Sequence, residues 1–386
     1  MFTATIESKS TAASEFLYMS MELGEGTWKL GFTIGFGENF ERRKVAARDR
    51  KAILRTIASV KRTLGLAADA EVRSGYEAGR DGFWLHRFLV DHNIKNLVMD
   101  SSSLEVNRRS RRPKTDNLDN AGLLDLLVRY WLGGPKRPFR VVRVPTVEEE
   151  DRRHLHRDLQ IAKRERARIT NRIKGLLAGH GVTIDLSRAD SGRQLSRVQQ
   201  WDGSALPPGL QSRLRREWER VELCTEMIRT LEAERREILR AGPDPVIDKV
   251  LQLNTLRGIG INSSWLYVME FFGWREFRNA KEVGALAGLT PTPFQSGNHH
   301  REQGISRAGN RHVRGMSVEI AWGWLRFQPQ SDLSLWYEKR FGHGSKRMRK
   351  IGIVALARKL LIALWRFLET GVLPEGAELK LNPAIR

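Results

Sequence analysis

A narrow apolar seam, set in a segment otherwise dense in charge, constrains this chain more than any other feature. Within residues 146–242, Leu155, Ala162, Ile169 and Leu176 recur at seven, and Leu159 and Ile173 fill part of the gap between them. After a loop holding Gly203, Pro207, Pro208 and Gly209, the pattern resumes with Leu214, Trp218, Val221, Ile228, Leu231 and Ile238. Helices with charged flanks have only that seam to bury, so two of them must pair, and the spacing predicts a coiled coil. An antiparallel hairpin within one chain and a pairing between chains both satisfy it. Cys224 lies in the second helix and reads as a small seam or surface residue, not a nucleophile.

The flanking segments have different textures. In residues 1–145, Phe16 to Leu23, Trp28 to Ile34, Glu71 to Tyr76 and Ile94 to Met99 read as strands. Arg48 to Leu64 carries a helical stripe of Ile53, Ile57, Val60 and Leu64; Phe83 to His92 and a stretch from about Asp116 also read as helices. That succession predicts an α/β domain with a mixed sheet. Residues 243–386 are first punctuated by glycine and then helical, so a mainly α-helical domain is expected there. Trp322, Trp324 and Trp336 stand in apolar surroundings and are assigned to core packing.

Charge narrows the partner. Lys and Arg number 66 against 45 Asp and Glu, a net charge of +21, which favours nucleic acid or an acidic membrane surface. The most apolar late stretch, Ile351 to Leu368, is broken by Arg358, Lys359 and Arg366, which argues against a membrane span. A single Cys excludes an intrachain disulfide and a multi-Cys zinc site. With no basic n-region and apolar h-region at the N-terminus, a cytoplasmic protein is expected.

Four acids stand out by setting. Glu22 ends the first apolar strand, Glu77 ends another, and Asp116 and Asp119 share one face of a helix start. Converging carboxylates suit Mg²⁺, which takes few of them and completes its shell with water and phosphate oxygens. Solvated strand-end acids and helix N-terminal acids would look the same in sequence.

From Phe16 to Leu127, the order of a strand ending in Glu22, then Tyr76-Glu77-Ala78, then Lys114-Thr-Asp-x-x-Asp119 resembles the DEDD transposases of bacterial insertion sequences, the insertion sequence 110 family. The resemblance implies a RuvC-like N-terminal domain of RNase H fold, with Glu22, Glu77, Asp116 and Asp119 as ligands for Mg²⁺, or Mn²⁺ in its place. The family's first acid is usually Asp; Glu22 is one methylene longer.

The C-terminal segment carries further resemblance. Leu256-Arg-Gly-Ile-Gly-Ile looks like the family's helix-hairpin-helix element, in which Gly258 and Gly260 let backbone amides approach a phosphate. Ala287-Gly-Leu-Thr-Pro, Phe294-Gln-Ser-Gly and Gly304-Ile-Ser-Arg-Ala-Gly-Asn-Arg follow in the order of the family's transposase domain. That match implies Ser296 as a nucleophile on DNA phosphate, with Arg307 where Lys is usual. His299 and His300 are near enough in sequence for acid–base work, and Arg301, Arg307, Arg311 and Arg314 for phosphate charge.

Two basic clusters complete the expected nucleic-acid surface: Arg108, Arg109, Arg111, Arg112 and Lys114, and Lys346 and Arg347 with Arg349 and Lys350. The resemblance further implies double-stranded DNA as substrate, a guide (bridge) RNA, and a homo-oligomer. The expected organisation is a RuvC-like domain (1–145), a coiled-coil oligomerisation region (146–242) and a transposase domain (243–386). Two rivals are a RuvC-like endonuclease using metal-activated water, which needs no Ser296, and a non-catalytic nucleic-acid-binding relative.

Overall fold

The computed structural model of the chain describes residues 16–36, 40–104, 116–134, 137–188, 190–296 and 299–381, with backbone alone at 102, 116–119, 294–296 and 299–302. The chain divides into two compact units, residues 1–145 and 146–386.

The first unit is built on a five-stranded mixed sheet, as the α/β expectation requires. Strands β1 (Phe16–Leu23), β2 (Thr27–Thr33) and β3 (Glu41–Ala46) pair antiparallel; β4 (Glu71–Glu77) and β5 (Ile94–Met99) extend β1 in parallel, giving the order β3-β2-β1-β4-β5. Helix α1 (Arg50–Thr63) leads from β3 into β4, and α2 (Trp84–Asp91) connects the parallel β4 and β5. Leu17, Met19 and Met21 of the central strand join Ile53 and Ile57 of α1 and Leu85 and Leu89 of α2 in one core. Tyr18 belongs to the other face, packed with Leu123, Leu124 and Leu127 of α3 (Asp116–Leu132). Burial on both sides is why β1 reads as a nearly continuous apolar run. The sequence reading missed β3. Its residues Glu41-Arg-Arg-Lys-Val-Ala bury only Val45, because an edge strand tolerates exposed charge.

The second unit begins with α4 (Val147–Ala178), started by a reciprocal cap between Thr146 and Glu149. It packs along α6 (Pro208–Arg240); the short α5 (Ser191–Ser196) lies in the connection. The ion pairs Lys163–Glu232 and Arg172–Glu217 show the two running antiparallel, so the pairing is a hairpin within one chain. The seam departs from strict sevens. Leu177 and Leu239 are fully buried, one residue beyond the expected Leu176 and Ile238. Leu155, Leu159, Ala162, Ile169, Ile173 and Leu177 form the buried stripe of α4. Cys224 is buried in the seam.

The remainder of this unit is helical: α7 (Pro245–Asn254), α8 (Ile261–Tyr267) running into a π-turn at Val268–Phe272, α9 (Ala280–Leu286), the hairpin β6 (Pro291–Ser296) and β7 (His299–Ile305), α10 (Arg311–Phe327), α11 (Asp332–Tyr337) with a second π-turn, and α12 (Lys346–Thr370). Trp265, Trp324, Leu360 and Leu364 centre its core. Trp324 is fully buried, as expected, whereas Trp322 is half exposed. Among the described residues no helix is long and apolar enough to cross a membrane.

Candidate active site

In the first unit, the parallel pairing of β1 and β4 runs to Met21 opposite Tyr76. The next residues are Glu22 and Glu77, at the ends of adjacent strands. Alternation puts both on the face that carries Tyr18 and Ser20, the face covered by α3. Lys29, the antiparallel partner of Glu22, brings its ammonium to 3.8 Å from Glu22 Oε2. A cation is therefore already drawn to this end of the sheet.

Asn120 sets the start of α3 against the same place. Buried Ser20 donates from Oγ to Asn120 Oδ1 at 2.7 Å and to its carbonyl at 3.1 Å. Asn120 Nδ2 in turn donates to the Lys29 carbonyl at 2.8 Å. Lys29 pairs with Glu22, so the first turn of α3 is pinned beside Glu22. Asp116 and Asp119 belong to that turn; their side chains lie outside the described residues. The described residues alone contain no group of three His, Cys, Asp or Glu able to hold a metal. As a donor set, paired carboxylates beside a helix start fit a hard divalent cation.

Gly31 makes this docking feasible. It pairs with Ser20, and a Cβ there would run into Asn120 Oδ1 and crowd Ser20 Oγ. Gly31→Ala is expected to cost about 1–3 kcal/mol by overpacking and to loosen the start of α3. Urea unfolding with hydrogen exchange across residues 116–132 measures both.

In the second unit, the sequence runs noted around Gly288 and Gly309 are the two legs of one structure. Ser306 donates its amide to the Thr290 carbonyl at 2.8 Å, Arg307 to Gly288 at 3.2 Å, and Asn310 to Leu286 at 2.9 Å. Arg314 clamps both legs, donating to the carbonyls of Ala287 at 3.3 Å and Arg307 at 2.9 Å. Gly309 has a φ of 105°, and a Cβ there would strike the Leu286 carbonyl. From this base rises the β6–β7 hairpin, in which Ser296 pairs with His299, Gln295 with His300 and Phe294 with Arg301. Ser296 is thus the last residue of β6, paired with the first of β7; the side chains of Ser296, His299, His300 and Arg301 lie outside the described residues.

Asn310 ties this base to the interior. Its Oδ1 accepts from the amides of His312 and Val313 and caps α10, while Nδ2 donates to Glu270 Oε2 at 3.0 Å. Glu270, in the first π-turn, is 2% exposed and receives a two-pronged pair from Arg157 of α4, at 2.6 and 2.9 Å. Burial opposes its ionisation, but Arg157 and Asn310 outweigh burial and hold the carboxyl below its ordinary value. The same neighbourhood holds buried His156, Arg153 and Arg235. Sequence reasoning missed Asn120, Glu270 and Arg157, since each acts through partners remote along the chain.

The remaining expected contacts are distributed. Arg307 and Arg311 are exposed on either side of Asn310, and Lys346 and Arg347 are exposed on the first turn of α12. Gly258 has a positive φ and Gly260 caps α8, but the Gly260 amide is engaged by Ser263 Oγ at 3.1 Å and the Ile259 amide by the Leu256 carbonyl. Arg108, Arg109, Arg111, Arg112 and Lys114 lie outside the described residues.

Comparison with known proteins places the chain among transposases. Residues 251–334, which include the whole β6–β7 hairpin and its base, match the family described as Transposase IS116/IS110/IS902. A putative transposase, y4rJ, of Sinorhizobium fredii is 39% identical over 382 residues, covering 94% of each chain. The transposase for insertion sequence element IS1328 of Yersinia enterocolitica is 25% identical, over 59% of this chain and 66% of its own length. That for element IS1111A of Coxiella burnetii is 24% identical, over 60% and 62%. These similarities put the chain in the transposase class. The chain belongs to the IS116/IS110/IS902 family of transposases.

Proposed function

We propose that this protein cuts and exchanges the DNA strands of an insertion sequence through a covalent Ser296–phosphate intermediate. The observation that carries the reading is the hairpin: Ser296 stands at the end of a strand whose base is locked by both family sequence runs. In the step, Ser296 Oγ forms a bond to phosphorus as the bond to one deoxyribose oxygen breaks; the serine proton passes to a basic side chain, and the departing oxygen takes up a proton and leaves as a hydroxyl. A strand hydroxyl reverses the step and reseals the phosphodiester. Arg307 and Arg311, exposed at the start of α10, offset charge developing on the phosphate.

Glu22, Glu77, Asp116 and Asp119 would hold Mg²⁺, with Mn²⁺ as a substitute. Bound there, the ion would supply Lewis-acid polarisation of phosphate oxygens. Glu22 and Glu77 lie at adjacent strand ends beside the start of α3, which supports a RuvC-like role for this unit. The exposed Lys346 and Arg347 suit phosphate backbones of the DNA and of a guide RNA. Homo-oligomers would hold the two DNA ends together.

The test is incubation with the element's end DNA, Mg²⁺ and its encoded RNA, followed by denaturing electrophoresis. A protein–DNA adduct mapping to Ser296 and absent from Ser296→Ala is expected. Strand cleavage retained in Ser296→Ala would sink the covalent mechanism in favour of metal-activated water. Asp119→Ala, expected to abolish cleavage while DNA binding persists, separates an enzyme from a passive binder.

A further inference from the structure

The connection between α4 and α6 is a structured tip. Residues 199–205 form a tight turn with a bridge between Gln199 and Ala205. Gln200 pins it from inside: its Nε2 donates to Ser204 Oγ at 2.9 Å and to the Ala205 carbonyl at 3.0 Å, and its Oε1 meets His180 Nδ1 at 2.9 Å. The Trp201 amide donates to the His180 carbonyl, and Gly181 lies against the Trp201 Cβ. So held, Trp201 is 79% exposed. A large aromatic fixed by its backbone yet left in water buries nothing for the fold.

Beside the turn lies a cavity of about 280 Å³. Val198 and Leu206, which flank the turn, form part of its wall with Leu214 and Trp218, and Arg215 stands among its polar residues. Charge around it is unevenly satisfied. Asp185 and Asp202 accept from serines two residues on, Asp190 from Gln194, and Glu217 pairs with Arg172 and Arg220. The exposed guanidiniums of Arg193, Arg197, Arg213, Arg215 and Arg216 have no ion-pair partner among the described residues. The acids are engaged internally, while the cations face outward.

We propose that the tip, residues 179–218, binds single-stranded nucleic acid, with Trp201 as a stacking platform and the cavity taking an adjacent base. An aromatic face accepts any base, free guanidiniums follow the phosphates, and an apolar-floored cavity excludes water from a second base. A protein partner would need acids to match these cations; the strand carries one at every phosphate. The proposal does not depend on strand cleavage, so failure of the Ser296 mechanism leaves it intact.

The full chain is irradiated with a short single-stranded oligonucleotide carrying 5-iodouracil, as RNA and as DNA, and the crosslinked peptide is identified. A crosslink at Trp201 is expected. Trp201→Ala should weaken binding about tenfold, whereas Trp201→Phe, which keeps a stacking face, retains most of it. In Arg193→Gln/Arg215→Gln, the slope of log affinity against log salt should fall by about 1.4. Crosslinks confined to other segments, with all variants binding as the parent does, would overturn the proposal. Concentration-dependent self-association lost in Trp201→Ala, without a crosslink at the tip, would overturn it too and assign the surface to a second copy of the chain.

Discussion

Replacing Glu270 with Ala is expected to destabilise residues 146–386 by about 3–5 kcal/mol, the usual cost of removing one partner of a buried ion pair. Glu270 is nearly inaccessible and is the acceptor for both the Arg157 guanidinium and the Asn310 amide. Arg153 adds to the local positive charge, and its own protonation is opposed first by burial and then by Arg157. Without the carboxylate, Arg157 would lose its hydrogen-bonded acceptor beside Arg153, and Glu150, paired with Arg153 at 3.3 Å, would be left to offset the two guanidiniums. The loss should spread to the β6–β7 hairpin, because Asn310 serves both Glu270 and the cap of α10. Hydrogen exchange read peptide by peptide separates this unit from the first. Protection should fall in 286–313 and along α4 while the five-stranded sheet keeps its own.

A second substitution makes the argument specific. Arg157→Met in the Glu270→Ala background should recover part of the lost stability, since an apolar pair in place of a buried ion pair is often nearly neutral. If Glu270→Ala lowers stability by less than about 1 kcal/mol, the range of an exposed ion pair, the pair is not the anchor described above.

Much of the architecture could be read from residue order, and what could not shares a physical cause. The seam was legible because Leu155, Leu159, Ala162, Ile169 and Ile173 are all buried at helical spacing. Its last step was not, because a count in sevens ends on Leu176, which is only partly buried, and not on Leu177. Glu22 and Glu77 were legible as strand ends, yet their adjacency rests on a parallel pairing between segments about 55 residues apart. Glu270 was invisible. It sits in Val-Met-Glu-Phe-Phe, which reads as core helix with one stray acid, and its partner lies 113 residues earlier. Asn310 stood inside a quoted run, but nothing local distinguishes a helix cap from a cap that also holds a buried carboxylate. Such links are long-range by nature, and periodicity reports only local facts.

The same polar interior predicts a response to acid. His156 is 3% exposed, and burial first, then the charge of Arg235, pushes its pKa down from 6.5 to about 4. Groups facing it are Arg235 from α6, Glu270 from the π-turn, His312 from α10 and Lys163 from its own helix, and only Glu270 favours the charged imidazole. The folded state therefore refuses a proton that the unfolded chain accepts. Stability is complete above about pH 6.5 and falls as pH drops towards 4, by about 3 kcal/mol over the window and about 2 kcal/mol of that by pH 5. His312, also held below its ordinary value by burial, acts in the same direction. His156→Gln removes the largest of these titrations and should flatten the pH dependence of the unfolding midpoint between about pH 5 and 7. Parent and variant losing stability in parallel over that interval would place the acid sensitivity elsewhere. A flattened profile would show that the neutral imidazole, with the Glu270–Arg157 pair beside it, is what makes the root of the hairpin sensitive to acid.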